Sequence, residues 1–250
     1  LSHFENLFEE VKGDVAAVIL EPMNSVDPAP GYLESLRSFC SSNNILLIFD
    51  EVITGFRFAK GGAQELFGIT PDLSCFGKGI ANGFPISVIA GKREIMEGFK
   101  EVFFSGTFGG ELLSLTAANV VLDKVSEGRV IPELYRIGNA IQQSLMSEIS
   151  YNKYEFVNLS GNPTWTFLNW TLNSDALQNQ VKTYFLQEMF KRGILVLSTN
   201  NVTTTLSQKD ISKILTAYAE VFEAISQALE RDSLDALLEC QPIVPLFKVR

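Results

Sequence analysis

Three residues in the first half of the chain have side chains that could do chemistry, and each lies in an unusual setting. Asp50 ends the apolar run "LLIFD", Lys78 stands alone in the glycine-rich stretch "CFGKGIANGFP", and Thr107 lies in "SGTFGGE" ahead of a predicted helix. An unpaired carboxylate at the end of a buried strand is costly, so Asp50 needs a cationic or hydrogen-bonding partner. The plain alternative is an aspartate that caps a helix or forms a salt bridge.

The surroundings of Lys78 favour a reactive amine. No other charged residue lies between Asp72 and Lys92, and the glycines on both sides let the backbone bend and let a bulky group approach closely. We therefore expect the Lys78 ammonium to be desolvated, which would make the amine a nucleophile toward a carbonyl group. A lysine extending from a surface loop is the alternative. Thr107 belongs to a turn of small, hydroxyl-bearing residues at a helix start, which is typical of a phosphate site but is a weak signal alone.

The three features are more specific together than separately. A strand-end carboxylate, a lysine about 28 residues later and a threonine turn about 29 residues beyond it are the parts that a pyridoxal phosphate site requires. The carboxylate keeps the pyridine nitrogen protonated, the lysine forms a Schiff base, and the turn holds the phosphate. The sequence therefore predicts pyridoxal 5'-phosphate as cofactor. It predicts no metal site, because the three cysteines are widely spaced.

The elements that must position these residues follow an α/β pattern. Apolar runs at 14–22 and 45–52 flank a stretch with helical spacing at 31–44, which predicts a βαβ unit with parallel strands. A mainly parallel sheet with helices on both faces is expected, and ligands bind beyond the carboxyl ends of such strands. The other elements predicted here are strands within 72–80 and 86–92, and helices at 93–100, 111–127 and 130–150.

The pattern changes after about residue 150. Alternating apolar and polar residues predict strands within 154–161 and 164–173, each with one solvated face. A helix at 175–192, a short strand at 194–198 and a long amphipathic helix at 207–230 follow, the last with Ser207 and Asp210 as a capping box. We therefore expect two domains: residues 1–125, and a connecting helix with a smaller α+β domain at 126–250.

Composition limits the partners. The formal net charge of −9 and the pI near 4.8 argue against nucleic acid or an anionic membrane surface and favour small molecules. No apolar run reaches the roughly 18–20 residues of a membrane span, and unpaired cysteines suit a reducing compartment, so a cytoplasmic protein is expected.

A long stretch of the sequence is similar to a known family. "LIFDEVITGFR", "GGAQELFGITPDLSCFGKGIANGFPISVIAGKREIME" and "SGTFGGELLSLTAA" resemble the class III, fold-type I pyridoxal-phosphate aminotransferases, especially the glutamate-1-semialdehyde 2,1-aminomutase group. The resemblance implies a large cofactor-binding domain, of which residues 1–125 are the C-terminal part, and a small C-terminal domain. It also implies amino-group transfer of the transaminase or 2,1-aminomutase type, between a small amino donor and a carbonyl acceptor, in a homodimer.

The resemblance assigns roles to five residues. It implies that Lys78 forms the Schiff base and later moves protons, and that Asp50 pairs with the pyridine nitrogen. Val52 would pack against one face of the ring, and Thr107 would hold the phosphate across a dimer interface. Glu21, at the end of the first strand, would support the residues that contact the cofactor without contacting it directly.

The chain also departs from the family pattern. Residues 198–210 contain no arginine to bind a substrate carboxylate, and Leu206 stands where the aminomutases commonly have histidine. The single histidine, His3, is expected at the surface, and Glu51 is expected to serve the fold because strand alternation points it away from Asp50. The family's upstream phosphate turn and ring-stacking aromatic residue are missing. We therefore expect a C-terminal portion of a longer polypeptide that binds the cofactor weakly or not at all alone.

Two other functions compete with amino transfer. A decarboxylase or racemase of the same fold would use the same cofactor, and only transfer would yield a new amino acid from an amino acid and an α-keto acid. A catalytically silent protein of this fold would bind the cofactor without turnover. Retention of Lys78, Asp50 and Thr107 together argues against the silent protein.

Overall fold

The computed structural model describes residues 2–11 and 13–244, with the backbone alone at residues 2 and 3. The side chain of His3, expected at the surface, thus lies outside the described residues. The chain divides into two compact units, Leu1–Pro132 and Glu133–Arg250. The assignment of 1–125 and 126–250 as parts of a large and a small domain stays a prediction.

The first unit alternates strands and helices. Its four strands are β1 (Ala17–Leu20), β2 (Leu46–Asp50), β3 (Leu73–Phe76) and β4 (Val88–Gly91). Its helices are α1 (Ser2–Glu10), α2 (Tyr32–Ser42), α3 (Ala63–Phe67), α4 (Arg93–Met96) and α5 (Leu112–Ser126), with 3-10 turns at Lys78–Ile80 and Glu97–Lys100. The βαβ unit predicted from the two apolar runs is confirmed, because β1 and β2 pair in parallel around α2.

The sheet has the order β1-β2-β3-β4, in which the first three strands are parallel and β4 runs antiparallel to β3. Apolar side chains of β2, led by the fully buried Leu47 and Phe49, pack with Leu36 and Cys40 of α2. Alternate residues of the edge strand β1 are exposed, and Ile19 is 63% exposed. Within the described residues, β1 therefore has one covered face and one uncovered face.

The second unit contains an antiparallel sheet and its helices. The strands β5 (Val157–Asn162), β6 (Trp165–Trp170) and β7 (Thr199–Asn201) pair in that order. The helices are α6 (Val130–Asn152), which begins just before the division, α7 (Asp175–Lys191), α8 (Gln208–Glu230) and α9 (Leu234–Leu237). Phe185 of α7 and Tyr218 of α8 form the core, with their ring centroids 5.6 Å apart.

A local signal in the sequence fixes the start of α8. The predicted capping box is present, since the Ser207 hydroxyl accepts from Asp210 N–H and the Asp210 carboxylate accepts from Ser207 N–H. The strand predicted at 194–198 is wrong, because β7 begins at Thr199. Leu195 and Leu197 face solvent there, and pairing with β6 starts only at the Ser198 carbonyl, which accepts from Leu168 N–H.

Among the described residues, no helix combines the length and the apolar composition that a bilayer crossing needs.

Candidate active site

The parallel strands bring several of the predicted residues to one edge of the sheet. Leu20 pairs with Phe49 and Asp50 pairs with Cys75, so the carboxyl ends of β1, β2 and β3 lie side by side. Glu21 directly follows β1, and Lys78 lies two residues beyond the end of β3. This edge is where open parallel sheets bind ligands.

Asp50 is half-buried at this edge, and its Oδ1 accepts a 3.0 Å hydrogen bond from Val52 N–H. That bond is an Asx-turn contact, not the helix cap or the salt bridge that the sequence left as alternatives. Among the described residues no donor reaches the other carboxylate oxygen, Oδ2. The neighbouring Cys75 thiol has a raised pKa, mainly because of burial and also because of the negative charge of Asp50. Asp50 therefore combines a structural contact with an oxygen that can take another donor.

The backbone of Lys78 is strained. Its φ of 42° lies in the left-handed region, which residues with a Cβ adopt at a cost of about 1–2 kcal/mol. Such outliers persist where the surroundings fix them, and they cluster at functional sites. On one side, an ideal Cβ built on Gly77 would lie 3.4 Å from Val52 Cγ1, so the chain before Lys78 packs closely on Val52.

The Lys78 side chain is exposed in this structure. The expectation that its ammonium is desolvated is therefore wrong for the described residues. Gly77 and Gly79 flank it and offer no side chains to cover it. The amine is therefore accessible to a ligand. A group that shields it from water must be a ligand or a part of the protein that does not cover Lys78 in this structure.

Glu21 has less structural support as a site residue. Its side chain is exposed, and Oε2 accepts a 3.0 Å bond from Asn24 Nδ2. The structure places it at the correct edge beside Asp50, but no contact joins the two carboxylates.

Thr107 lies in a segment where residues 101–110 are all exposed. It lines a cavity of about 720 Å³ formed by residues 85–88 and 104–111 with Ser114 and Leu115. None of Glu21, Asp50, Val52 and Lys78 lines this cavity. The structure thus places four predicted residues at the strand edge, whereas Thr107 lines a cavity that none of them lines.

The start of α5 cannot serve as the anion site that the sequence suggested. The Glu111 carboxylate accepts from Leu113 N–H and Ser114 N–H, both at 2.7 Å, and from the Ser114 hydroxyl at 2.6 Å. The Ser114 hydroxyl, followed by these two amides, lowers the pKa of Glu111. Because a carboxylate already occupies the first-turn donors, a phosphate at this turn must rely on Thr107 and the adjoining backbone.

The residue types at the strand edge suit pyridoxal phosphate. This cofactor uses an accessible primary amine, a carboxylate with an oxygen free to accept a hydrogen bond, and an apolar side chain near them. Within the described residues no cluster of side chains suits a metal ion.

The model of the Aminotransferase class-III family matches residues 1–229 of this sequence. The chain belongs to the class III aminotransferase family. It is 36% identical over 231 residues to the glutamate-1-semialdehyde 2,1-aminomutase of Methanosarcina acetivorans, covering 86% of this chain and 54% of that protein. The aminomutase of Desulforamulus reducens is 32% identical over 245 residues, covering 91% and 56%. The chain therefore spans about half the length of these relatives.

Solved structures show the same fold for this class III chain. The internal aldimine form of the FumI protein of Sphingopyxis sp. MTA144 matches with a TM-score of 0.82 and 23% identity, over 94% of this chain and 58% of that one. An omega-transaminase from Sphaerobacter thermophilus matches with a TM-score of 0.81 and 23% identity, over 89% and 55%. The predicted fold-type I class is confirmed.

Sequence reasoning missed two buried carboxylate networks in this class III chain. Asp72 is 3% exposed and accepts from Leu47 N–H at 2.7 Å, Arg37 at 2.8 Å and Lys92 at 2.7 Å. Glu51 is buried, as alternation predicted, but its partners 12 and 13 residues later could not be read from spacing. Asp72 had a signal, since a charged residue directly before an apolar strand requires a partner.

Proposed function

We propose that the polypeptide carrying this sequence is a pyridoxal-phosphate-dependent enzyme that transfers an amino group, in a transaminase or 2,1-aminomutase reaction. The observation that carries the proposal is Lys78, a strained and accessible lysine at the strand edge beside Asp50, in a chain of the class III aminotransferase family. The names of the two aminomutase relatives support the reaction type.

Each residue then has a defined task. When bound, pyridoxal phosphate supplies an aldehyde for condensation with amines and a protonated ring that withdraws electrons. Lys78 would hold the cofactor through its Nζ and would move a proton at the substrate. Asp50, whose Oδ1 accepts from Val52 N–H, would keep the ring nitrogen protonated. The apolar Val52 side chain would pack against the ring.

We also propose that the enzyme is a homodimer and that Thr107 binds the phosphate of the partner's site. The exposed apolar surface around Thr107 supports this arrangement, and Thr107 lines a cavity that none of the strand-edge residues lines. Phe103 is 95% exposed, and Phe104 and Phe108 are 69% and 60% exposed. An apolar patch of this kind is typical of a protein interface. Glu21 acts as a supporting residue behind Asp50.

The substrates are a small amino donor and a carbonyl acceptor. The neutral stretch 198–210 and Leu206 disfavour a site built on an arginine or a histidine there. The negative net charge supports an enzyme that does not bind nucleic acid or anionic membranes. The free cysteines suit a reducing compartment, so we propose a cytoplasmic location.

The test uses the complete polypeptide that contains this sequence. Pyridoxal phosphate is added, the adduct is reduced with borohydride, and the labelled peptide is identified by mass spectrometry. The label should lie on Lys78, be lost in Lys78→Ala and persist in Lys60→Ala, an exposed lysine of the same unit. Labelling elsewhere, or turnover that survives Lys78→Ala, would refute the assignment.

Product analysis distinguishes the reactions. An amino acid and an α-keto acid should yield a new amino acid if the enzyme is a transaminase, and an α-amino aldehyde substrate alone should rearrange if it is an aminomutase. Carbon dioxide release or a racemised amino acid without transfer would contradict the proposal.

A further inference from the structure

Glu51 is a buried carboxylate with no cationic partner among the described residues. It is 1% exposed, and its donors are neutral: the Thr54 hydroxyl, Ala63 N–H at 2.8 Å, and Gln64 N–H at 2.8 Å with its amide at 3.4 Å. Burying a charged carboxylate without a cation is costly even when it is hydrogen-bonded. Glu51 directly follows Asp50 in the sequence, so a role in the site would explain why this unfavourable burial is kept.

The bonds of Glu51 close the loop that follows the site strand. They join the Glu51 side chain to Thr54 and to the first residues of α3. Both ends of the loop 52–62 are therefore held by the same carboxylate. The Gln64 amide also donates to Ser74 Oγ of β3 at 3.2 Å, which links the network to the neighbouring strand. The backbone is fixed as well, since Glu51 N–H donates to the Cys75 carbonyl and Gly55 N–H donates to the Glu51 carbonyl, both at 2.9 Å.

Close packing leaves this arrangement little freedom. An ideal Cβ on Gly62 would lie 2.5 Å from Glu51 Oε2, and one on Gly55 would lie 2.6 Å from the Phe76 ring. Neither position accepts a side chain unless its neighbours move. The same packing extends toward the lysine, because an ideal Cβ on Gly77 would lie 3.4 Å from Val52 Cγ1.

We propose that Glu51 is a positioning residue: its backbone bonds fix the peptide groups on both sides of it, its carboxylate holds the loop that follows, and together they orient Asp50 and Val52 toward the cofactor. This inference rests on the proposed function. Glu51 itself lies on the buried side and touches neither the cofactor nor the substrate.

A purely structural role would give a different result, and Asp72 provides the matched control. Asp72 is a buried carboxylate of the same sheet, but it bonds Leu47 near the start of β2 and lies at the edge opposite Lys78. Loss of either carboxylate should lower the free energy of unfolding. Only loss of Glu51 should change how the cofactor is held.

The experiment compares Glu51→Gln, Thr54→Val, Thr54→Ser and Asp72→Asn in the complete polypeptide. Three quantities are measured for each: the dissociation constant of pyridoxal phosphate, the pH at which the absorbance of the bound cofactor changes, and the free energy of unfolding. Glu51→Gln replaces one acceptor oxygen with a donor that faces other donors. We expect about tenfold weaker cofactor binding and a displaced absorbance titration, as misplaced site residues cause.

Thr54→Val removes one donor to Glu51 and should act in the same direction by a smaller factor, while Thr54→Ser keeps the hydroxyl and should restore the wild-type values. Asp72→Asn should lose stability yet keep its cofactor affinity within about twofold. If Glu51→Gln does not fold, the two Thr54 variants decide. Unchanged affinity and titration in both Glu51→Gln and Thr54→Val would overturn the inference, whereas a wild type without cofactor binding would overturn the proposed function instead.

Discussion

The strain at Lys78 can be measured separately from its chemistry. Replacing Lys78 with Ala or Gly removes the amine in both cases, so the two variants differ only in the Cβ. The φ of 42° costs alanine about 1–2 kcal/mol, and glycine nothing. Glycine adds about 0.4–1 kcal/mol of entropy to the unfolded chain. Lys78→Gly should therefore have a free energy of unfolding about 0.5–1 kcal/mol higher than that of Lys78→Ala.

Urea unfolding followed by far-ultraviolet circular dichroism is the suitable assay. Both tryptophans, Trp165 and Trp170, lie in the second unit, so their fluorescence would not report the unit that contains Lys78. Exposed Lys213, in the right-handed helix α8, is the control, because there glycine should be about 1 kcal/mol worse than alanine. If Lys78→Gly and Lys78→Ala are equally stable, or if the alanine variant is more stable as in a helix, the backbone at residue 78 is not strained.

Two pH-dependent predictions concern other buried groups. Hydrogen bonds from Leu47, Lys92 and Arg37 outweigh the opposing effect of burial and lower the pKa of Asp72, so its stabilisation should be present above about pH 4 and be lost at lower pH. Asp72→Asn should reduce the free energy of unfolding by about 2–3 kcal/mol at pH 7, and this deficit should shrink below pH 4 in acid titrations; a deficit that persists there would contradict the prediction. Burial, together with a 3.0 Å bond to Glu223, raises the pKa of Tyr154 to about 12, so stability should fall by about 2–3 kcal/mol as pH rises from about 10 to 12. Tyr154→Phe should lack this fall. Urea unfolding of both proteins between pH 10 and 12 measures it, and an equal loss of unfolding free energy in the variant would contradict the prediction.

Most of the strands and helices could be predicted from local pattern. The βαβ unit, the helix at 130–150 and the capping box at Ser207 depend on periodicity and on neighbours three or four residues apart. The strand placed at 194–198 failed because an apolar run does not specify its pairing partner. Pairing with β6 depends on residues about 30 positions earlier, and it begins only where the Ser198 carbonyl reaches Leu168 N–H.

The candidate site could be predicted in part. Asp50 and Lys78 were proposed because strand ends and glycine-rich loops have sequence signatures, whereas Val52 was implied only by the family resemblance. The topology places all three at one edge of the sheet. The exposure of Lys78 could not be predicted, since it depends on what covers the loop. The Glu111 cap was missed although Ser114 follows three residues later, because a glutamate at the N-cap is less usual than serine or aspartate.

The antiparallel pairing of β4 with β3 limits how far the Lys78 amine can move. Residues 77–87 connect two strands that are hydrogen-bonded to each other, with Phe76 opposite Val88, so both ends of this loop are clamped. Lys78 sits next to one clamp, whereas Gly83 occupies the far tip. A swing of the whole loop would displace the tip and leave the lysine backbone almost stationary. Any reach that Nζ needs between successive bonding partners must come from rotation about the four methylene groups of the side chain.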